Sequence, residues 1–241
     1  GQTYGAQYTE ADGSDTHTQQ PSKVIYPTLQ RTLRYNEREH LALKQDAAGS
    51  DTRIEGYGYD KAGQRKTLTD ASGKTRTYEY NAYGQVTSAK DPLGNTLRLV
   101  HDTRGNVIEV IDPNGARTRM QYDRRSLLVG STDPLGHTTG YDWNANGWLT
   151  HIRQANGQKV SYSYDAAGRI TQHQEHDAQG ALQKTATYTY DEAGNLLGWS
   201  DGTYSAQRTY DDADRLTKET ITYGTGQGSF TLSHAYSYHG N

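Results

Sequence analysis

The sequence predicts an all-β chain of tandem antiparallel β-hairpins, and three observations carry that prediction. An aromatic residue followed by Asp or Asn returns at a fixed spacing, two turn signals lie ten residues apart inside each period, and the stretches between turns alternate with period 2.

The period comes first because self-similarity over roughly 20 to 50 residues marks a repeat architecture. The motif begins at Tyr59, Tyr80, His101, Tyr122, Trp143 and Tyr164, each start 21 residues after the one before. The register then loosens, with further starts at Tyr190, Tyr210 and Tyr238, where residues 238–241 read as the opening of another unit. Upstream, Tyr35-Asn36 opens a degenerate unit, with Leu41 and Gly49 at the later offsets and Glu39 in place of the first glycine. The expected organisation is therefore an irregular or leading β segment over 1–34 and repeats over 35–241, starting near 35, 59, 80, 101, 122, 143, 164, 190, 210 and 238. With no initiator Met and a repeat opening at its end, the chain reads as an internal piece of a longer protein.

Each unit carries two turns with a chemical rationale. The first is Asp60-Lys61-Ala62-Gly63 and its equivalents ending at Gly84, Gly105, Gly147, Gly168 and Gly194. Asp or Asn at its head accepts a backbone hydrogen bond, and the closing glycine takes a positive φ without steric cost. The second is Asp91-Pro92-Leu93-Gly94, Asp112-Pro113-Asn114-Gly115 and Asp133-Pro134-Leu135-Gly136, where proline presets φ for a type I turn. Variants without proline begin at Asp70, Gln154 and Asp177.

Between the turns, paired residues two apart face the same way. These pairs are Tyr57 and Tyr59, Tyr78 and Tyr80, Met120 and Tyr122, Tyr141 and Trp143, Tyr162 and Tyr164, Tyr188 and Tyr190, and Tyr236 and Tyr238. After the first turn an aliphatic recurs as Val86, Val107, Leu128, Leu149, Ile170, Leu196 and Leu216, with Arg65 the exception. About eight units of two strands give a sheet roughly 75 Å wide at about 4.8 Å per strand, which exceeds what a twisted open sheet sustains flat, so curling is expected.

Composition narrows the function classes. Hydrophobic residues make up 32% of the chain and Phe230 stands alone against 20 tyrosines, so tyrosine must do the packing, as suits a thin sheet rather than a deep interior. The net charge of −3, with both signs interspersed, leaves no basic stripe for nucleic acid. No stretch has the roughly 20 apolar residues of a spanning helix, and residues 1–10 lack the pattern of a signal peptide. The absence of cysteine excludes disulfides, thiolate metal sites and a cysteine nucleophile.

The unit written out at Tyr164-Asp165-Ala166-Ala167-Gly168-Arg169-Ile170-Thr171, followed elsewhere by Asp-Pro-Leu-Gly, closely resembles the YD repeat of RHS proteins. That family includes bacterial RHS polymorphic toxins, the BC components of insecticidal Tc toxins and the teneurins, and the resemblance covers about 35–241. It implies a β-ribbon that curls into part of a hollow shell, and in toxin members a shell that encapsulates a C-terminal toxin or effector domain before delivery. The Asp-Pro-Leu-Gly turns and missing cysteines look more like a bacterial member. The implied partners are the parent's own toxin domain, the remaining shell repeats and a secretion-system component. The implied location is outside the cell, as a secreted protein made in the bacterial cytoplasm. The self-cleaving segment of RHS toxins is rich in Asp-Pro, but Asp91-Pro92, Asp112-Pro113 and Asp133-Pro134 lie in mid-repeat register and are expected to be turns.

Candidate chemistry is sparse: no catalytic, cofactor-binding or metal-binding residue is expected, no cofactor is implied, and the chain is not expected to be an enzyme. The closest histidines, His173 and His176, are expected at a strand end or in a lengthened, solvated loop rather than around a metal. His101 stands in for the repeat's tyrosine, and His17, His40, His137, His151, His234 and His239 are scattered. No phosphate-binding glycine loop, nucleophile elbow or metalloprotease motif occurs. The alternative to a wall is a carbohydrate-binding or adhesive module, since aromatic rows on repeats stack sugars. Aromatic rows facing a sealed interior or a neighbouring layer would favour the wall, and exposed aromatic grooves of similar shape in each repeat would favour the glycan.

Overall fold

A computed structural model describes residues 5–7 and 22–238. Its chain separates into two compact units, 1–118 and 119–241, the division falling inside one strand. The first unit holds β1 (Gly5–Gln7), β2 (Lys23–Ile25), β3 (Gln30–Tyr35), β4 (Leu41–Ala48), β5 (Asp51–Tyr59), β6 (Arg65–Thr69), β7 (Thr75–Tyr80), β8 (Val86–Lys90), β9 (Thr96–His101) and β10 (Val107–Ile111). The divided strand is β11 (Arg117–Tyr122). The second unit continues with β12 (Leu128–Thr132), β13 (Thr138–Trp143), β14 (Leu149–Arg153), β15 (Lys159–Tyr164) and β16 (Ile170–His176). It ends with β17 (Leu182–Tyr190), β18 (Leu196–Ser200), β19 (Tyr204–Tyr210), β20 (Leu216–Tyr223) and β21 (Phe230–Ala235). The fold is all-β, as the turn spacing predicts.

Within each unit the pairing is antiparallel and sequential, as in β5–β6, β6–β7 and β7–β8 or β13–β14, β14–β15 and β15–β16. Such a meander results from the short turns, because a chain reversed every few residues can only pair with its predecessor. It also sorts the turns, since alternate strand directions put every first turn on one edge and every second turn on the other.

Both kinds of turn close alike. At the first, Gly63 N–H donates to Asp60 O (3.1 Å) and Asp60 N–H to Gln64 O (2.9 Å); at the second, Gly94 N–H donates to Asp91 O (3.1 Å) and Asp91 N–H to Asn95 O (2.9 Å). The head carboxylate adds two more bonds: Asp91 Oδ1 accepts from Leu93 N–H and Asn95 N–H, both at 2.9 Å. The closing residue is left-handed even without glycine. Among the described residues the non-glycine ones with positive φ are Glu39, Ser126 and Asp214, each in the closing position of a first turn. The turn geometry imposes this conformation and glycine only makes it cheap.

The two edges differ in the strand pairing next to the turn. Beside each first turn the register slips by one residue, as between Gly58 and Tyr59, Glu79 and Tyr80, Asp142 and Trp143, or Ser163 and Tyr164. Opposite Ser163 and Tyr164 stand Gln172 and Ile170, so Thr171 is the extra residue of a β-bulge. At the equivalent site Thr150 donates its hydroxyl to Asp142 O (3.1 Å), and Thr217 to Thr209 O (2.9 Å). The second-turn hairpins β6–β7, β8–β9, β12–β13 and β14–β15 run without a slip, and the lengthened β16–β17 hairpin is the exception, slipping between Glu175 and His176.

The sheet buries little. Among the described residues only Gly130, Ala186, Gly198 and Ala206 are buried, and no large side chain is fully enclosed. The longer spacing between Tyr164 and Tyr190 is absorbed by lengthening β16 and β17 to 7 and 9 residues. Of the two places expected for His173 and His176, the structure gives the strand and not the loop: His176 ends β16 and His173 lies inside it, because Gln172 to Glu175 pair continuously with Thr187 to Lys184. His17 and His239 fall outside the described residues.

Candidate functional site

The repeat's first tyrosine turns into the sheet. Tyr59 donates its hydroxyl to Leu41 O (2.9 Å) and Tyr80 to Arg65 O (2.8 Å). In the second unit Trp143 Nε1–H donates to Leu128 O (2.7 Å), Tyr164 to Leu149 O (2.6 Å), Tyr190 to Ile170 O (3.0 Å), Tyr210 to Leu196 O (3.0 Å) and Tyr238 to Leu216 O (2.8 Å). Each acceptor is the carbonyl of the recurrent residue after the preceding unit's first turn, just before its bulge. The hydroxyl therefore satisfies a carbonyl at a disturbed stretch of ladder and ties one unit to the next. Desolvation holds the Tyr164 hydroxyl above its usual pKa and keeps it a donor. Tyr57, one pair position earlier, is pushed up to about 12 by desolvation and by its hydrogen bond to Glu55 (2.6 Å).

First turns are also tied to one another. The residue after each closing position packs against the closing glycine of the next unit: a methyl group on Gly63 would come within 2.8 Å of the His40 ring, and one on Gly168 within 2.8 Å of Trp148. Trp148 in turn lies 5.3 Å from the Tyr164 ring, centroid to centroid. Hydrogen bonds run the same way, from Arg38 Nη1 to Lys61 O (2.5 Å), Arg125 Nη1 to Asn144 O (2.9 Å) and Arg169 Nη1 to Asp191 O (2.7 Å).

The carboxylates at the turn heads are structural acceptors. The side chains of Asn95, Asn106, His137 and Arg215 hold Asp91, Asp102, Asp133 and Asp211 below the usual carboxylate pKa, and the backbone N–H groups of Leu127 and Arg169 do the same for Asp123 and Asp165. They are ionised and already occupied by hydrogen bonds, which suits neither a general acid nor a protease dyad. Asp91, Asp112 and Asp133 all head turns, as their register in the repeat predicts.

His173 and His176 are three residues apart in one strand and so face opposite sides of the sheet. His173 Nε2 lies 3.2 Å from Glu175 Oε1 and its ring stacks on Tyr162 at 6.2 Å, whereas His176 Nδ1 is buried without a hydrogen-bond partner. Among the described residues no three His, Asp or Glu side chains group as metal ligands would.

One constellation is invisible in the linear sequence. Asp142 stands opposite His151, and His151 opposite Ser161, forming a cross-strand row of carboxylate, imidazole and hydroxyl. The order is that of a hydrolase triad, but the geometry opposes the chemistry. Asp142 is engaged by both Nη1 and Nη2 of Arg153, its Oδ2 is 3.6 Å from His151 Nδ1, and no hydrogen bond joins His151 to Ser161 among the described residues. The neighbouring amides belong to the ladder and cannot also form an oxyanion hole. The signal that could have found this row is strand register, which single-strand periodicity does not contain.

No large aromatic groove accompanies these features among the described residues. Tyr204, Tyr223 and Phe230 are register partners, and Tyr223 and Phe230 stack on each other at 4.8 Å and 9°. The stack covers one face of each ring, and Phe230 and Tyr204 stay exposed in this one cluster. A shallow open groove at the second-turn edge is lined by His137, Thr139, Ile152, Gln154, Ala155 and Asn156.

The RHS repeat family model matches residues 59–96, 101–142 and 143–189, more than half of the chain. The fold is similar to that in crystal structures of TcdB2-TccC3-Cdc42, with a TM-score of 0.73 and 15% identity over 95% of this chain and 14% of that one. It is also similar to TcdB2-TccC3-TEV, at 0.71 and 16% identity over 90% and 13%, and to the Photorhabdus luminescens Tc holotoxin pore with a mutated TccC3, at 0.65 and 15% over 91% and 15%. The chain thus spans about one seventh of those chains. No curated protein matches it in sequence.

Proposed function

This chain belongs to the RHS repeat family, and from that premise we propose that it is a segment of a structural wall enclosing the C-terminal toxin domain of its own parent protein. The observation that carries the reading is the repeated bond from each unit's first aromatic to the backbone of the unit before it, as in Tyr164 to Leu149 O and Tyr190 to Ile170 O. Those side chains are engaged in joining units, so they are not free to recognise a ligand. A sheet with so few buried side chains covers a surface without filling an interior, and closing it would leave a cavity for another polypeptide. The repeats span 35–241 in this reading, and the segment itself catalyses nothing and needs no metal or cofactor. Its partners are the remaining shell repeats, the enclosed toxin domain and a secretion-system component. The parent is made in the bacterial cytoplasm and acts outside the cell; the match to a Tc holotoxin pore supports a toxin parent.

Limited proteolysis of the full-length parent tests this. An enclosed domain should survive protease until the wall is breached by deleting one repeat, such as residues 122–142. Equal digestion with and without the deletion would favour the adhesive, glycan-binding reading instead.

A further inference from the structure

Three Asn-Gly pairs occur, at Asn114-Gly115, Asn146-Gly147 and Asn156-Gly157, and each occupies the last two places of a turn. By sequence all three are candidates for the same spontaneous reaction, since asparagine is thermolabile and glycine offers no side chain to hinder its amide nitrogen. The structure separates them. We propose that Asn114 is a site of spontaneous deamidation and isoaspartate formation in the folded chain, and that the other two pairs are protected.

The attacking nitrogen is held alike in all three turns: Gly115 N–H donates to Asp112 O (3.0 Å), Gly147 N–H to Asn144 O (3.1 Å) and Gly157 N–H to Gln154 O (3.0 Å). The electrophilic side chains are not held alike. Asn156 Oδ1 accepts from Gln158 N–H (3.0 Å) and its Nδ2 donates to Gln158 Oε1 (2.8 Å), so its carboxamide is fixed at both ends. Gly157 also packs against the neighbouring turn, where an added methyl would lie 2.9 Å from Ala178 Cβ. Asn146 is exposed and its carboxamide makes no hydrogen bond among the described residues, but the backbone of its turn is clamped from outside, because Arg125 Nη1 donates to both Asn144 O (2.9 Å) and Ala145 O (3.3 Å). Asn114 has neither restraint. It is exposed, its carboxamide makes no hydrogen bond among the described residues, and nothing lies within 4 Å of where a Cβ on Gly115 would stand.

The reaction needs only water and a solvent base. The base removes the Gly115 amide proton, and the nitrogen attacks Asn114 Cγ. The new N–Cγ bond closes a succinimide as the Cγ–Nδ2 bond breaks and ammonia leaves. Water then opens the ring at either carbonyl, giving aspartate or isoaspartate. The isoaspartate form adds one backbone atom between Asn114 and Ala116, whose N–H groups both donate to Asp112 Oδ1, and so weakens that turn.

The test is to age the folded chain in mildly alkaline buffer and follow the three Asn-Gly peptides by mass spectrometry, with enzymatic methylation to count isoaspartate. The Asn114 peptide should convert first, roughly tenfold faster than Asn156, whose two side-chain bonds must open before it reacts. In denaturant the three rates should converge, and Gln158→Ala should accelerate Asn156 in the folded chain. Equal rates in the folded chain, earlier conversion of Asn146 or Asn156, or no acceleration by Gln158→Ala would overturn the proposal.

Discussion

At the first-turn edge a closing glycine such as Gly168 rests on the ring of Trp148 from the unit before, while at the second-turn edge Gly73, Gly115, Gly136 and Gly180 have nothing within 4 Å of where a Cβ would stand, and Gly157, close to Ala178, is the exception. The turns themselves are chemically alike, with the same reversal and the same Asp or Asn acceptor. The difference is that one edge adds guanidinium-to-carbonyl bonds and aromatic packing between units, and the other exposes residues such as Leu93 and Leu135 at 85% and 82%. Cohesion between repeats therefore concentrates on one edge, and the other is left open to vary. Repeat arrays derive much of their stability from such neighbour terms.

The largest expected effect is one that ignores this asymmetry. Asp123 and Asp165 on the first-turn edge and Asp91 and Asp133 on the second have depressed pKa values, so their contribution is fully present above the unfolded value near 4 and is lost as pH falls through the folded values. Thermal melts should be flat from neutral pH to about 5 and fall steeply below about 4. Hydrogen exchange should show both edges loosening together, and an acid transition confined to one edge would break the view that the turns are equivalent.

Glycine substitutions should then separate the edges. Gly168→Ala should cost roughly 3 kcal/mol, combining left-handed strain with overpacking against Trp148, whereas Gly136→Ala carries only the strain, about 1.5 kcal/mol. Equal losses in denaturant titration would remove the packing difference. A smaller effect is expected from Tyr164→Phe, which deletes the bond to Leu149 O and should cost about 1 kcal/mol. On the open side, Leu135→Asn should change stability by less than about 0.5 kcal/mol, and a larger loss would mean that this leucine packs on the chain itself.

Much of the fold is legible because each turn is specified locally. Asp91-Pro92-Leu93-Gly94 contains its own acceptor, its preset φ and its left-handed closer, so no distant contact is needed to form it. The closing role of Ser126 and Glu39 is harder to see, since neither residue favours positive φ as Asp214 can, and the surrounding hairpin places them there. Extra residues between two motifs read as an insertion, and for that reason the sequence points His173 and His176 to a strand end or a lengthened loop. The ladder absorbs those residues instead, since extending a hairpin satisfies more backbone groups than a loop does.

The sequence by itself determined the period, the two turn types, the strand alternation and the family, because each is written in residues close together along the chain. The tertiary structure alone decided that the tyrosine hydroxyl reaches the carbonyl of the preceding unit, that a bulge accompanies the first turns while β6–β7, β8–β9, β12–β13 and β14–β15 have none, and that Asp142, His151 and Ser161 share a row without sharing chemistry. Those facts depend on register between strands, and register is set by pairing across the sheet, where one slipped residue changes every neighbour.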